Sequence, residues 1–499
     1  MQDTWDVIVV GGGGSGLAAA VSAASAGLSV LLLEKRPELG GTTGIAVGSF
    51  TASGTEYQRR ADISDNPDDH EADAALFGPP EVQARNNAAM RRYFLGHAAE
   101  TLDWLRDLGL NFHGPSPEPP NRAPRMHNVV PNAKAYIAVL QSHLLRLGGE
   151  IVCEATVKRL TTFDAAVTGV EVEIAGEGTR ELIARSGVVL AAGDYANNSQ
   201  MINRYKGPQF GAVEGINPYA TGDGHRLAEQ AGAELVNMDI TYGPELRFVP
   251  PPRQPFSQLL PSRGTAAKVL GKCLPLVPDW VLSKLIKRLL VTWQHPENSL
   301  FDDGAILVNQ RGERFCDERR SPEREIAIAS QPDKKAYLLL DARLVDRYSR
   351  WPHFISTAPE IAYAYVDDYR RLRPDVTTTG DKLSDLASQR DIPMGALERA
   401  VSEYHSSESV PKRTREEKSP WVLLGPVKSY FTTTEGGAKI NQQMQVLNST
   451  GQPIPGLFAV GQNGLSGMVL WGHGLHIAWA LTSGRLAGLE LARQATGST

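Results

Sequence analysis

A glycine-rich turn near the amino terminus constrains this chain more than any other feature. Residues 6–10 read DVIVV, a short apolar run suited to a buried parallel strand. GGGGSG follows at 11–16, then LAAAVSAASAG, an alanine-rich helix with a glycine stop at Gly27. Residues 28–33, LSVLLL, predict a second strand with Glu34 at its end. Gly11, Gly13 and Gly16 have the G-x-G-x-x-G spacing. The first glycine permits a tight turn, the second lets a pyrophosphate approach the backbone, and the third lets helix and strand pack closely. The helix start at Gly14 and Ser15 offers free N–H groups to phosphate. Glu34, about 20 residues on, is placed for ribose hydroxyls. A glycine triplet alone is a flexible turn as readily as a site; the strand–loop–helix–strand–acid context argues for a dinucleotide.

At 499 residues the chain has room for two or three domains. A net charge of −5 argues against nucleic acid as a partner. Cys153, Cys273 and Cys316 lie far apart with no CxxC, so neither a disulfide scaffold nor a metal site is expected, and a cytoplasmic location fits. No basic leader is visible, and no apolar stretch reaches the ~18–20 residues of a membrane span. Residues 278–293, PDWVLSKLIKRLLVTW, predict a helix with an apolar face opposite Lys284, Lys287 and Arg288. Such a helix either contacts an anionic membrane peripherally or packs on the protein with its lysines in solvent.

After Glu34 the chain continues KRPELGGTTG, and this E-x5-GG-T-T run resembles FAD enzymes. It is similar to the superfamily of FAD-binding fumarate reductases, succinate dehydrogenases and 3-ketosteroid dehydrogenases. Six further segments resemble that superfamily in the same order, at 148–160, 187–198, 220–235, 304–318, 436–462 and 472–488. The resemblance implies an α/β fold: a Rossmann-like FAD-binding domain at 1–225 and 425–499, with an inserted α+β capping domain at 226–424. It implies that Lys35, Arg36, Gly40, Gly41, Thr42 and Thr43 follow the cofactor, and that Val157 meets adenine. Ala192, Gly193 and Asp223 line the groove in this reading, and Gly461 and Gln462 pass the ribityl chain. Leu475, His476 and Ile477 begin a helix whose positive end faces the flavin. Relatives that attach FAD covalently use a His shortly after the GG-T loop; residues 40–54 contain none, so noncovalent FAD is expected.

Fumarate-type relatives grip a dicarboxylate with His and Arg. In register, this chain has Gly243, Pro322, Thr433 and Trp471 at those four places. An apolar site leaves the desolvation cost of a dianion uncompensated. The resemblance is therefore nearer to 3-ketosteroid dehydrogenases, whose carbonyl-polarising glycine matches Gly474. Their Tyr positions do not match: Leu470 stands at one, and Ser321-Pro322-Glu323 replaces their Pro-Tyr pair. The implied reaction moves a hydride between flavin N5 and a carbon of a C–C or C=C bond α,β to a carbonyl. The implied substrate is an apolar, cyclic or steroid-like ketone. Glu323, Tyr242, His473 and His476 are the candidate acid–base groups, and the Gly474 N–H is a candidate carbonyl donor. Two alternatives stand beside this reading: a biosynthetic desaturase or ene-reductase of a secondary metabolite, and a flavoprotein subunit that passes electrons to a partner chain. The electron partner stays open; a quinone suits an apolar site.

Overall fold

The computed structural model describes residues 2–252, 287–288, 290–292, 294–358, 362–406 and 419–497. Much of the helix expected at 278–293 lies outside them. In its described part, Leu290 and Val291 are buried, and Lys287 pairs with Asp368 at 3.1 Å.

The first unit is built on β1 (Thr4–Val10), α1 (Gly14–Ser25), β2 (Val30–Leu33), β3 (Glu150–Val152), β4 (Gly178–Leu190), β5 (Pro453–Ala459) and α2 (Leu475–Gly497). The strands lie in the order β5-β4-β1-β2-β3, all parallel. β2 and the last residues of β1, β4 and β5 are apolar and buried on both sides, as strands of a sheet covered on both faces are. Three antiparallel strands, Ala155–Phe163, Ala166–Ile174 and Gln445–Leu447, complete an eight-stranded sheet. Val10 pairs with Leu33 and with Leu190, and Leu190 pairs with Ala459. Four strand ends therefore finish in register, and the turns that follow them converge on one edge. Open parallel sheets bind their ligands at that edge.

α1 is buried along nearly its whole length. It can be, because its alanines let α2 approach closely. A Cβ at Gly484 would sit 2.3 Å from the Ser15 carbonyl oxygen, and one at Gly488 would sit 2.5 Å from Ser22 Cβ. Contact at this distance admits glycine alone, and it packs the middle of α2 tightly along α1.

The second unit is a six-stranded sheet organised by the strand Trp421–Phe431. Ala336–Leu340, Thr377–Gly380, Glu245–Phe248 and the two residues Glu214–Gly215 all pair with it. Apolar clusters fill both faces of this sheet. The long strand runs unbroken through position 425, the expected return point to the first domain. The helix Asp223–Gln230 contributes Leu227 and Ala228 to the first core, and Leu235–Val236 pairs with Gly437–Ala438. Glu214–Gly215 already joins the second sheet, Leu235–Val236 pairs back with Gly437–Ala438, and the long strand ends at Phe431, so by sheet membership the two units interleave along the chain. Strand continuity decides this, and composition does not reveal it. Among the described residues no helix is long and apolar enough to cross a membrane.

Candidate active site

The glycines at the end of β1 do different work. Gly11 has φ +113°, and its Cβ would lie 2.4 Å from the Ala191 carbonyl oxygen. A Cβ at Gly16 would lie 2.0 Å from the Gly11 oxygen, so both are glycine for packing. A Cβ at Gly14 would press on Thr43 Oγ1 at 2.7 Å. Gly13 differs: the nearest atom to its Cβ direction is Gly41 Cα at 3.9 Å. The Gly40 N–H donates to the Gly12 oxygen at 3.0 Å, which holds the GGTT turn beside this opening. No side chain caps α1 at Gly13, so its first N–H groups face the opening without an intrahelical partner.

Glu34 is buried, with 6% of its surface exposed, and accepts from the Gly12 N–H at 2.7 Å and the Arg36 N–H at 2.9 Å. Free amides for a pyrophosphate, an opening that a Cβ would fill and a fixed carboxylate for a ribose together fit FAD. Lys35 and Arg36 are turned to other work. Lys35 Nζ bonds Asp223 at 2.8 Å and Thr221 at 2.6 Å, and the Arg36 guanidinium lies 4.3 Å from the Tyr219 ring centroid. They clamp the turn at 219–223 beside the groove. Thr42 accepts from Asn217 at 2.9 Å, and Val157 is buried. Asn463 accepts from the Ala192 N–H at 2.6 Å and donates to the Gly193 oxygen at 2.9 Å. Gly461 is held by Ser483 and by the Trp479 indole, each at 2.9 Å. Gln462 donates to Thr433 Oγ1 and the Thr434 oxygen, both at 2.8 Å. Leu475 is buried and Ile477 half-buried at the start of α2.

Past this groove, side chains from both units meet. His473 donates its backbone N–H to Glu118 at 2.9 Å, and its Nδ1 makes a short hydrogen bond to the same carboxylate oxygen. The His473 side chain is 59% exposed and Glu118 only 5%. Glu118, Glu245 and Arg247 all act on the ring electrostatically. Burial pulls its pKa down, but the hydrogen bond and charge of Glu118 and the charge of Glu245 outweigh burial and raise it above the ordinary histidine value. With Nδ1 engaged, Nε2 is the ring atom free to exchange a proton. Gly474, at φ +81°, has Thr51 Oγ1 2.6 Å from its Cβ direction, and Thr51 donates to the His473 oxygen at 2.6 Å. His476 Nε2 lies 2.9 Å from an oxygen of Glu435, which is fully buried.

Tyr242 packs its ring against Trp471, with centroids 5.5 Å apart. Its hydroxyl has no protein hydrogen-bond partner among the described residues. Burial, with nearby Glu245, Glu118 and Glu435, raises its pKa well above the usual tyrosine value, so it is a donor at neutral pH. Arg247 donates to Glu245 at 2.8 Å and to Thr432 at 3.3 Å. His295, also near Glu245 and His473, is depressed by burial and is neutral at pH 7.

The structure thus brings Tyr242, His473, Gly474 and His476 to one region, and Glu323 is placed apart from them. Glu323 is exposed on the first turn of the helix Glu323–Ala329 and makes no hydrogen bond or ion pair among the described residues. The arginines beside Pro322 also turn away. Arg324 is buried in the second unit, bonded to Glu325, the Glu318 oxygen and Asn298. Arg319 and Arg320 pair with Asp317. Sequence reasoning missed Glu118, Glu245, Arg247, His295 and Glu435. Glu118 sits in a proline-rich connection without periodicity, and only the acid directly before the GG at 436–437 carried a local signal.

The model of the FAD binding domain family matches residues 6–254 and 288–472. Fumarate reductase (cytochrome) of Shewanella frigidimarina is 27% identical over 515 residues, spanning 99% of this chain and 78% of that protein. Vinyl phenol reductase of Lactiplantibacillus plantarum is 26% identical over 522 residues, spanning 99% of this chain and 97% of that protein. The solved open conformation of a flavocytochrome c3 fumarate reductase superposes with a TM-score of 0.73 at 24% identity, over 99% of this chain and 79% of that one. Two solved 3-ketosteroid dehydrogenases share the fold, at TM-scores of 0.59 and 0.65.

Proposed function

The chain belongs to the FAD binding domain family and is an FAD-dependent oxidoreductase acting on CH–CH and C=C groups, and from that premise we propose that its substrate is an uncharged, apolar cyclic compound whose reacting bond is conjugated to a carbonyl. One observation carries this reading: among the described residues, the basic groups Arg247, His473 and His476 of the cleft each already face a carboxylate. Arg247 is paired with Glu245, His473 with Glu118 and His476 with Glu435. A dicarboxylate entering here meets charge that is already compensated, and it would pay its full desolvation cost. Trp471 and Tyr242 instead offer an aromatic wall, with fully buried Leu470 beside it. The vinyl phenol reductase relative, named for a C=C bond on an aromatic ring, supports the same direction.

FAD, when bound, supplies the two-electron chemistry. Every other role falls to the chain. Trp471 and the Tyr242 ring hold the apolar body of the substrate and exclude water. The Tyr242 hydroxyl, or the Gly474 N–H, donates to the carbonyl oxygen and stabilises the negative charge that develops there. His473 Nε2 gives a proton to the carbon next to the carbonyl in the reductive direction and takes it in the oxidative one, while Glu118 compensates the imidazolium. A quinone as electron partner is consistent with this apolar cleft.

Anaerobic mixing of the FAD-loaded enzyme with a panel of cyclic ketones, steroids among them, and with succinate tests the reading. The flavin absorbance at about 450 nm reports electron transfer. Bleaching by a cyclic ketone, or reoxidation of the reduced enzyme by a cyclic enone, is the expected result. Bleaching by succinate, or reoxidation by fumarate at a comparable rate, overturns it.

A further inference from the structure

We infer that the buried cluster Arg125–Asp65–Asp73 is a positioning device that sets Glu118 against His473, resting on the reading of His473 as the proton carrier. Glu118 lies in residues 117–125, which join the strands Asn111–Ser116 and Met126–Val130. Four of those nine residues are proline. Proline has no N–H, so backbone bonding can hold this connection only sparsely. The Asn121 N–H bonds the Glu118 oxygen at 2.9 Å, and the Arg122 N–H goes to the Asp73 side chain at 2.9 Å.

Side chains do the rest. Arg125 reaches Asp65 with Nε at 2.7 Å and Nη2 at 2.8 Å, and Asp73 with Nη1 at 2.7 Å. Gln58 ties Asp65 to the Pro124 oxygen, both at 2.8 Å. Arg122 bonds Asp73 at 2.8 Å and Asp69 at 2.6 Å, both on the helix Pro67–Ala74. From Arg125 a relay runs to the site. Arg125 Nη1 donates to Asn121 Oδ1 at 2.9 Å, Asn121 Nδ2 donates to Glu118 Oε2 at 3.5 Å, and the other Glu118 oxygen holds His473.

The side chains of Arg125, Asp65 and Asp73 are 0%, 1% and 3% exposed. At that depth the desolvation of three charges offsets most of their attraction, and well-packed apolar residues would stabilise the fold at least as well. What such a cluster does provide is direction, because a guanidinium fork satisfies two carboxylates in one geometry only. It fixes a proline-rich loop that carries a carboxylate the site depends on. Asp65, Asp73 and Arg125 touch no cleft group, so they are positioning residues acting through Glu118.

The test is the titration of the His473 ring, followed by NMR in the full chain, apo and FAD-loaded, with denaturant unfolding measured alongside. Glu118→Gln should lower the His473 pKa by about one unit or more. Asp73→Asn leaves Glu118 intact, yet should lower it in the same direction. Asp73→Asn combined with Glu118→Gln should add nothing, and Asp73→Glu should restore most of the wild-type value. Asn121→Ser, which breaks the relay without removing a charge, gives the same readout if Asp73→Asn fails to fold. A wild-type His473 titration in folded Asp73→Asn or Asn121→Ser, with the shift present in Glu118→Gln, overturns the positioning role and leaves the proton-carrier reading standing. No shift in Glu118→Gln overturns the Glu118–His473 pairing on which both rest.

Discussion

Alanine at Gly16 and alanine at Gly13 should fail in opposite ways, although both glycines belong to one motif. At Gly16 the new methyl would lie 2.0 Å from the Gly11 oxygen, 3.1 Å from its carbonyl carbon and 3.2 Å from Ala191 Cβ. The obstacle is backbone, and the overlap exceeds 1 Å relative to an ordinary contact of about 3.4 Å. α1 must lift from the end of β1, at a cost of about 1–3 kcal/mol or more. At Gly13 the backbone has φ −80° and ψ −173°, which alanine adopts freely, and the nearest atom is 3.9 Å away. The apoprotein should therefore change by no more than about 0.5 kcal/mol. The same methyl fills the opening beside the free amides of α1. Losing one charge-assisted hydrogen bond to a phosphate, at about 1.5–3 kcal/mol, weakens FAD binding roughly 10- to 100-fold. Denaturant unfolding of the stripped apoprotein and fluorescence titration with FAD separate the two quantities. Gly13→Ala with wild-type FAD affinity, or Gly16→Ala with wild-type stability, would refute the division of labour.

Three further outcomes follow from the site. His473→Asn should cut kcat/KM for a cyclic enone by about 10²- to 10⁴-fold. In the wild type this rate should fall as pH rises through the elevated His473 pKa, because the proton is lost there, and steady-state kinetics would show that limb missing in the variant. Glu34→Ala removes a buried acceptor from the Gly12 and Arg36 amides and a ribose ligand together, so isothermal titration should record at least a tenfold weaker FAD affinity. Burial pushes Asp194 up to about 6, against the Ala196 N–H and the Thr433 hydroxyl, which pull it down. Since this folded value lies above that of the unfolded chain, ionisation removes stability as pH rises from about 4 through about 6. Asp194→Asn should accordingly stabilise the apoprotein above pH 6 by about 1–3 kcal/mol and flatten that decline, as urea unfolding at several pH values would show.

The cofactor end was legible because its constraints are local. A strand, a turn and a helix fall within residues 4–25, and the glycine spacing reports how closely backbone must approach backbone. The substrate end was legible only in part. Tyr242, His473, Gly474 and His476 stood out by register with related flavoproteins, and the fold gathers them. Glu323 had a register position as good as theirs. Pro322, however, caps a helix whose inward face takes Arg324 and Glu325, and Glu323 is left in solvent. A proline marks where a helix starts and says little about which side of its first turn faces the core.

The carboxylates were the hidden part. Glu118 meets His473 across 355 residues and Glu435 meets His476 across 41; Glu118 sits in no periodic pattern, and the place of Glu435 before the GG at 436–437 does not say which group it faces. What the sequence determines by itself is the nucleotide groove, because steric demands on a glycine act between neighbours in the chain. The charge balance of the cleft is a tertiary decision. By register with the family it resembles, the chain has Gly243, Pro322, Thr433 and Trp471 where that family places His and Arg, but only the folded chain reveals that Arg247, His473 and His476 each face a carboxylate. Coulomb energy depends on distance through space, and the packing of two sheets sets that distance.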